Sequence, residues 1–194
     1  MAWSTPRTWN SGETVTAALM NAHLRDQLNV LKTKIDDNGL LRTLYAGPAV
    51  AGNVTTGEDT LTSFTATGGN LSALGHGFDV MLNGSLANNT NAKTIRFKVG
   101  SISLTLLSAY AAAVAGNRFM IRLQVTWDGN TACRVSGWMS YGAAQGATPI
   151  LLQWGGNQMA GLSGWSADQT VSFTGEATAT NDILPTECVV NAIR

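Results

Sequence analysis

The sequence predicts a mainly β protein, an antiparallel β-sandwich preceded by a short N-terminal α-helix. Three observations carry that expectation. Through most of the chain beyond residue 48, apolar residues recur at every second position, the pattern of strands with one face buried and one face solvated. Nine of the 24 charged residues (12 basic plus 12 acidic) fall in residues 1–44, so the remaining 150 positions are sparsely charged. Only 12% of residues are charged overall, while 21 are glycine, a composition that suits turns and strand faces made polar by Thr, Ser and Asn. The charge step places a boundary near residues 36–50 and divides the chain into an N-terminal segment, 1–44, and a body, 45–194.

The N-terminal segment reads as one helix. Thr14 or Thr16 can cap it, and the run from Ala17 to Ile35 contains neither Gly nor Pro. Leu24, Leu28, Leu31 and Ile35 follow spacings of four, three and four. That is a narrow a/d seam rather than the broad apolar stripe of a helix lying on a globular core. Extended back through Ala17 and Met20 or Asn21, the seam covers two to three heptads, a length that is marginal alone in water. It calls for identical helices beside it or for a host surface; packing on the body is the competing use of the same face. Asp36-Asp37-Asn38-Gly39 then stops the helix, with Gly39 suited to the left-handed position after the last turn.

In the body the period changes to two. Ile95, Phe97 and Val99 alternate with Thr94, Arg96 and Lys98. Phe119, Ile121, Leu123, Val125 and Trp127 alternate with polar neighbours, and Asp128-Gly129-Asn130 follows as a hairpin turn. The return run, 131–141, places Cys133, Val135, Gly137 and Met139 on one face. Further strands are expected at 61–67, 78–86, 102–107, 150–154, 170–177 and 187–193. Eight to ten short strands at this spacing make a sandwich. Cys133 and Cys188 each lie in such a run, far apart and without C-x-x-C spacing, so buried free thiols are expected.

Chemistry is sparse. The formal net charge is zero, which removes the basic footprint of a nucleic-acid partner. No apolar run approaches the roughly 18 residues of a membrane span, and Met1–Arg7 lacks a basic-then-apolar signal sequence, so synthesis in the cytoplasm is expected. Neither His23 nor His76 has a Cys or second His at ligand spacing, and no metal or cofactor is expected. His76 and Asp79 lack the G-x-S-x-G elbow that would complete a hydrolytic triad, and no Gly-Lys-Ser/Thr phosphate loop is present. Most body carboxylates, among them Glu58-Asp59, Asp128 and Asp182, look like turn residues, although a chance facing pair of the glycosidase kind stays open. Trp138, Tyr141, Trp154 and Trp165 are concentrated among Gly, Ala, Gln and Asn. Aromatic faces flanked by amides suit sugar rings, so these four form a candidate glycan-binding set, with core filling or a subunit contact as the alternative.

Two stretches carry resemblances. Trp9-Asn10-Ser11-Gly12-Glu13-Thr14-Val15-Thr16-Ala17, running into a helix with Asn21, His23, Arg25-Asp26 and Leu28, resembles the W-x-x-G-E-x-V-T-A signature at the start of many tailed-bacteriophage structural proteins. The resemblance implies an anchor that fastens a fibre-like or decorating domain to the particle. Asn89-Thr90-Asn91-Ala92-Lys93-Thr94, leading into the strand at Ile95, is similar to a strand of the jelly-roll head domains of phage fibre and spike proteins, over about residues 55–140. It implies a jelly-roll-like body and a homotrimer; the seam itself leaves two or three strands open.

The function expected is therefore that of a non-enzymatic virion protein, a fibre, spike or capsid-decoration component. Trp9, Leu24, Leu28, Leu31 and Ile35 would serve attachment to other virion proteins and association of identical copies. A receptor-binding adhesin for host cell-surface polysaccharide is the second reading. A polysaccharide depolymerase ranks last, because a body of 150 residues is small for it.

Overall fold

A computed structural model describes residues 11–14, 16–20, 24, 25, 28, 29, 31, 43–48, 52–54, 56–68, 75–111, 118–129, 131–142, 150–161 and 166–193. The chain divides into two units, Met1–Leu40 and Leu41–Arg194.

In the first unit, Ala17–Met20 is α-helical (α1), and Met20 N donates to Thr16 O at 3.0 Å. Leu24 and Arg25 lie in a wider π-type turn, while Leu28, Asn29 and Leu31 are again helical. The other positions of the expected 17–35 helix, with its Asp36–Gly39 stop, lie outside the described residues.

The described residues of the second unit form ten strands: β1 (Thr43–Pro48), β2 (Glu58–Ala66), β3 (Gly77–Leu86), β4 (Lys93–Val99), β5 (Ile102–Tyr110), β6 (Arg118–Trp127), β7 (Ala132–Tyr141), β8 (Ile150–Ala160), β9 (Gln169–Ala177) and β10 (Ile183–Ile193). Every pairing is antiparallel. The strands form a six-stranded sheet, β1-β10-β3-β6-β7-β8, and a four-stranded sheet, β2-β9-β4-β5. With β7 and β8 set aside, each sheet has four strands, and the chain passes from one sheet to the other at every connection except the β4–β5 hairpin. That is the order of a jelly roll. The β6-β7-β8 meander then widens one sheet by two strands.

Alternation drives this architecture directly. In β6 the burial runs exposed–buried along the whole strand, and in β4 it runs buried–intermediate. The inward residues meet in one core that includes Leu61, Phe78, Leu82, Ile95, Phe97, Ile121, Leu123, Val171 and Ile183. Aromatic rings tie the sheets together. Phe64 of β2 meets Phe78 of β3 edge-on at 5.4 Å, and Phe78 meets Trp127 at 5.7 Å. Tyr110 of β5 and Tyr141 of β7 make a second edge-on contact between the sheets, at 4.8 Å. Such pairs contribute about 0.5–1.5 kcal/mol beyond their buried area. The turn after β6 closes through Asp128 N donating to Ala132 O (3.2 Å), and Gly129 takes φ +118°, which suits a residue without Cβ.

Several elements depart from their expected limits, β2 and β5 by three residues each. Strand β1, which the sequence pattern does not single out, starts at Thr43, within the 36–50 interval of the charge step, and pairs with β10. Strand β8 continues past Trp154 through Gly155 and Gly156 to Ala160. Strand β10 starts at Ile183 and includes Pro185, a residue without an N–H for a ladder. It is tolerated because β1 reaches only as far as Glu187 and the β10–β3 register shifts between Pro185 and Glu187.

Candidate functional site

Met20, Leu24, Leu28 and Leu31 are exposed, at 42%, 47%, 59% and 42%. Their spacing of four, four and three keeps them along one side of a helix. Trp9 and Ile35, the other two residues expected in the attachment surface, lie outside the described residues.

The aromatic set does not converge on one surface. Cross-strand partners share a face. Trp138 pairs with Arg122 on one side and Gln153 on the other, both exposed, and so belongs to the outer face of the six-stranded sheet. Gly137 pairs with Leu123, a fully buried residue, and with Trp154, which packs against the core from the inner side. Tyr141 is 8% exposed and engaged with Tyr110. Its hydroxyl pKa is raised by burial and, less so, by the neighbouring Tyr110. Trp165 lies outside the described residues. Of the four, Trp138 is the one the described structure presents outward.

The strand that carries the second resemblance contains a buried polar cluster. By parity Lys93 shares the inward face with Ile95, Phe97 and Val99, and it is fully shielded from solvent. Its three donors all find acceptors: Asn89 O at 3.3 Å, Asn89 Oδ1 at 2.8 Å and Asn91 O at 2.8 Å. Asp182 stands behind the two asparagines. Its Oδ1 accepts from Asn89 Nδ2 at 2.6 Å, and its Oδ2 accepts from Asn91 Nδ2 at 2.8 Å and from Ala179 N at 3.0 Å. Desolvation lowers the Lys93 pKa, and the charge of Asp182 opposes that shift. For Asp182 desolvation is the largest single influence and raises the pKa, but the hydrogen bonds from Asn89, Asn91 and Ala179 and the charge of Lys93 outweigh it, leaving the carboxyl below its ordinary value. Asp182 is thus more than a turn residue. Beside it the buried Asn53 holds the β9–β10 turn, its Nδ2 donating to Ala179 O and its Oδ1 accepting from Ile183 N, both at 2.8 Å. This cluster fastens three segments distant in sequence at one end of the sandwich, and every hydrogen bond named in it goes to the protein itself. Its work is architectural.

The outer face of the four-stranded sheet carries a charge ladder. Glu58 of β2 sits opposite Glu176 of β9. Lys98 Nζ lies 2.7 Å from Glu58 Oε1, and Arg96 reaches Glu176 at 2.8 Å and Glu58 at 3.7 Å. Thr174 Oγ1 also donates to Glu58. The hydrogen bond from Lys98 is the main reason the Glu58 carboxyl is held below its ordinary value, with Thr174 next. A glycosidase requires a facing pair in which one carboxyl is pushed up to stay protonated. In this pair Glu58 is pushed the other way and both partners are committed to cations. Asp79, whose sequence neighbourhood lacks the elbow of a hydrolytic triad with His76, is paired with Arg122 at 3.2 Å.

Cys133 and Cys188 are buried free thiols. Burial pushes the Cys133 thiol up to about 12. It pushes Cys188 up to about 11, against a lowering hydrogen bond with Thr62, while the Glu187 charge adds to the rise. Neither is activated as a nucleophile. Among the described residues no group of three or more His, Cys, Asp or Glu is gathered as a metal ion would require. No described helix is long and apolar enough to cross a membrane.

Fold and surfaces together define a jelly-roll sandwich with a widened sheet, joined in sequence to a segment in which Met20, Leu24, Leu28 and Leu31 are exposed. No protein-family model matches the chain, and no curated protein matches it.

Proposed function

We propose that the protein is a structural component of a tailed-bacteriophage virion, in which the N-terminal segment fastens the chain to the particle and to its sister copies while the sandwich projects as the body. The observation that carries this reading is the exposure of Met20, Leu24, Leu28 and Leu31 at helical spacing, in a chain whose sandwich has a core of its own. Four apolar side chains of that size left half in water are stabilised by any surface that covers them, at about 25 cal/mol per Å² of apolar area buried. Identical helices provide such a surface, because each a/d seam is complementary to its copies. The signature at residues 9–17 supports attachment to a particle, and the resemblance over residues 55–140 supports a homotrimer. The mechanism is binding, and no residue has a catalytic role in it.

The test is a particle-incorporation assay with the double variant Leu28→Asp, Leu31→Asp. The variant body should fold normally, run as a monomer in light scattering and be missing from purified particles. Incorporation at the unaltered level, with the oligomer intact, would overturn the reading.

A further inference from the structure

The geometry points to a second binding site, an open groove on the outer face of the six-stranded sheet, suited to an acidic oligosaccharide. The groove measures about 710 Å³ and is lined by Asn83 and Ser85 of β3, Arg118 and Met120 of β6, Ser140 of β7 and Glu187 of β10. That volume falls within the range of about 300–1,000 Å³ typical of small-ligand sites. Its position follows from the topology. Asn83, Met120 and Ser140 form one cross-strand row, with Ser85 and Arg118 in the next row toward the sheet end. Beside them β10 breaks register between Pro185 and Glu187.

The lining groups are poised in different ways. Glu187 Oε2 accepts from Asn83 Nδ2 at 3.1 Å, which fixes the carboxylate at the edge of the groove and leaves its second oxygen to accept from vicinal hydroxyls. Asn83 Oδ1 has no hydrogen-bond partner while its Nδ2 holds Glu187, so this amide serves the groove by positioning the carboxylate. Arg96, Arg122 and Arg134 are each paired with a carboxylate within the sandwich, at 2.8, 3.2 and 2.8 Å. Arg118 is paired with none among the described residues, yet it borders the groove. A guanidinium in that state matches a planar carboxylate in two-point geometry. Trp138 lies on the same face two residues before Ser140, about 7 Å along the strand. Its ring and the Met120 side chain offer apolar surface for the C–H face of a sugar. Hydroxyl acceptors, a guanidinium and an adjoining indole describe a uronate-containing saccharide better than an apolar ligand.

The inference stands apart from virion attachment, and the experiment separates the two. The intact protein is applied to an array of matched neutral and uronate-containing oligosaccharides, and the tightest binder is titrated by calorimetry. Retention of acidic members is expected, with neutral counterparts at least tenfold weaker. Arg118→Gln and Trp138→Ala should each weaken the acidic ligand at least tenfold while leaving oligomeric state and particle incorporation unchanged and lowering the thermal midpoint by no more than a few degrees. Arg134→Gln, at the other end of the same sheet, should bind as the unaltered protein does. Absence of retention across the array, equal binding of neutral and acidic members, or binding indifferent to Arg118→Gln would each overturn the assignment, as would preference for a peptide carboxylate over every saccharide.

Discussion

In the sandwich, Phe78, Leu82, Ile95, Ile121 and Leu123 are wholly shielded, whereas Met20, Leu24, Leu28 and Leu31 of the N-terminal unit are each more than 40% exposed. The two regions draw on the same residue types and differ in where the partners come from. The sandwich supplies its own, across two sheets and through three aromatic contacts that join them or line their core. For the N-terminal seam the proposed partner is a sister copy or another virion protein, and covering a half-exposed leucine would contribute about 1 kcal/mol. On the proposed function, folding is concentrated in one region and association in the other, and substitutions should separate along that line.

The largest effect on stability is expected at the buried polar cluster. Asp182→Ala removes the acceptor of Asn89, Asn91 and Ala179 and leaves the Lys93 charge shielded without its counter-charge. A loss of about 3–5 kcal/mol in urea unfolding is expected, the scale of breaking one partner of a buried charged pair. Association through the seam should survive wherever the variant stays folded. Next come the two tryptophans: Trp154→Ala should cost about 2–3 kcal/mol, since its ring packs on the core, whereas Trp138→Ala on the outer face should cost under about 1 kcal/mol. If the two costs were equal, the assignment of the two rings to opposite faces would be wrong.

Acid should weaken the sandwich before it affects the seam. Asp182 and Glu58 have folded-state pKa values below their ordinary 3.8 and 4.5, so both bind protons more readily when unfolded. Their contribution is fully present above about pH 5 and is lost as pH falls through those ordinary values toward the lower folded ones. Thermal midpoints should decline over that interval, and the decline should be shallower in Asp182→Asn. A flat profile in the unaltered protein would contradict the account of the cluster. The smallest effect is expected on the ladder, where Glu58→Gln should cost under about 1 kcal/mol and less at high salt, because Arg96, Lys98 and Glu176 remain partly solvated.

Much of this was legible in the chain itself. Strand β6 announces itself through five inward apolar residues, and the Asp128-Gly129 turn fixes its return. Parity also places Trp138 opposite Val135 and Met139. The Lys93–Asp182 cluster was hidden for a physical reason: Asp182 meets Asn89 and Asn91 across more than 90 residues, and a hydrogen bond of that span leaves no local period. The orientation of Trp154 was hidden as well, since Ile150-Leu151-Leu152 does not alternate and the register slips between Val135 and Gly137. Strand β1 is short and ends in Gly47-Pro48, so pairing with β10 defines it better than propensity does. The groove residues Asn83, Arg118 and Glu187 come from three strands and become neighbours only through the sheet order.

Sedimentation equilibrium of the intact chain, combined with hydrogen exchange at Leu24, Leu28 and Leu31, tests the division of labour most directly. The account predicts a particle of three times the 20.4 kDa chain mass, with exchange at these leucines slowed in the trimer and released in Leu28→Asp, Leu31→Asp. A stable monomer whose leucines are protected without any partner would contradict it.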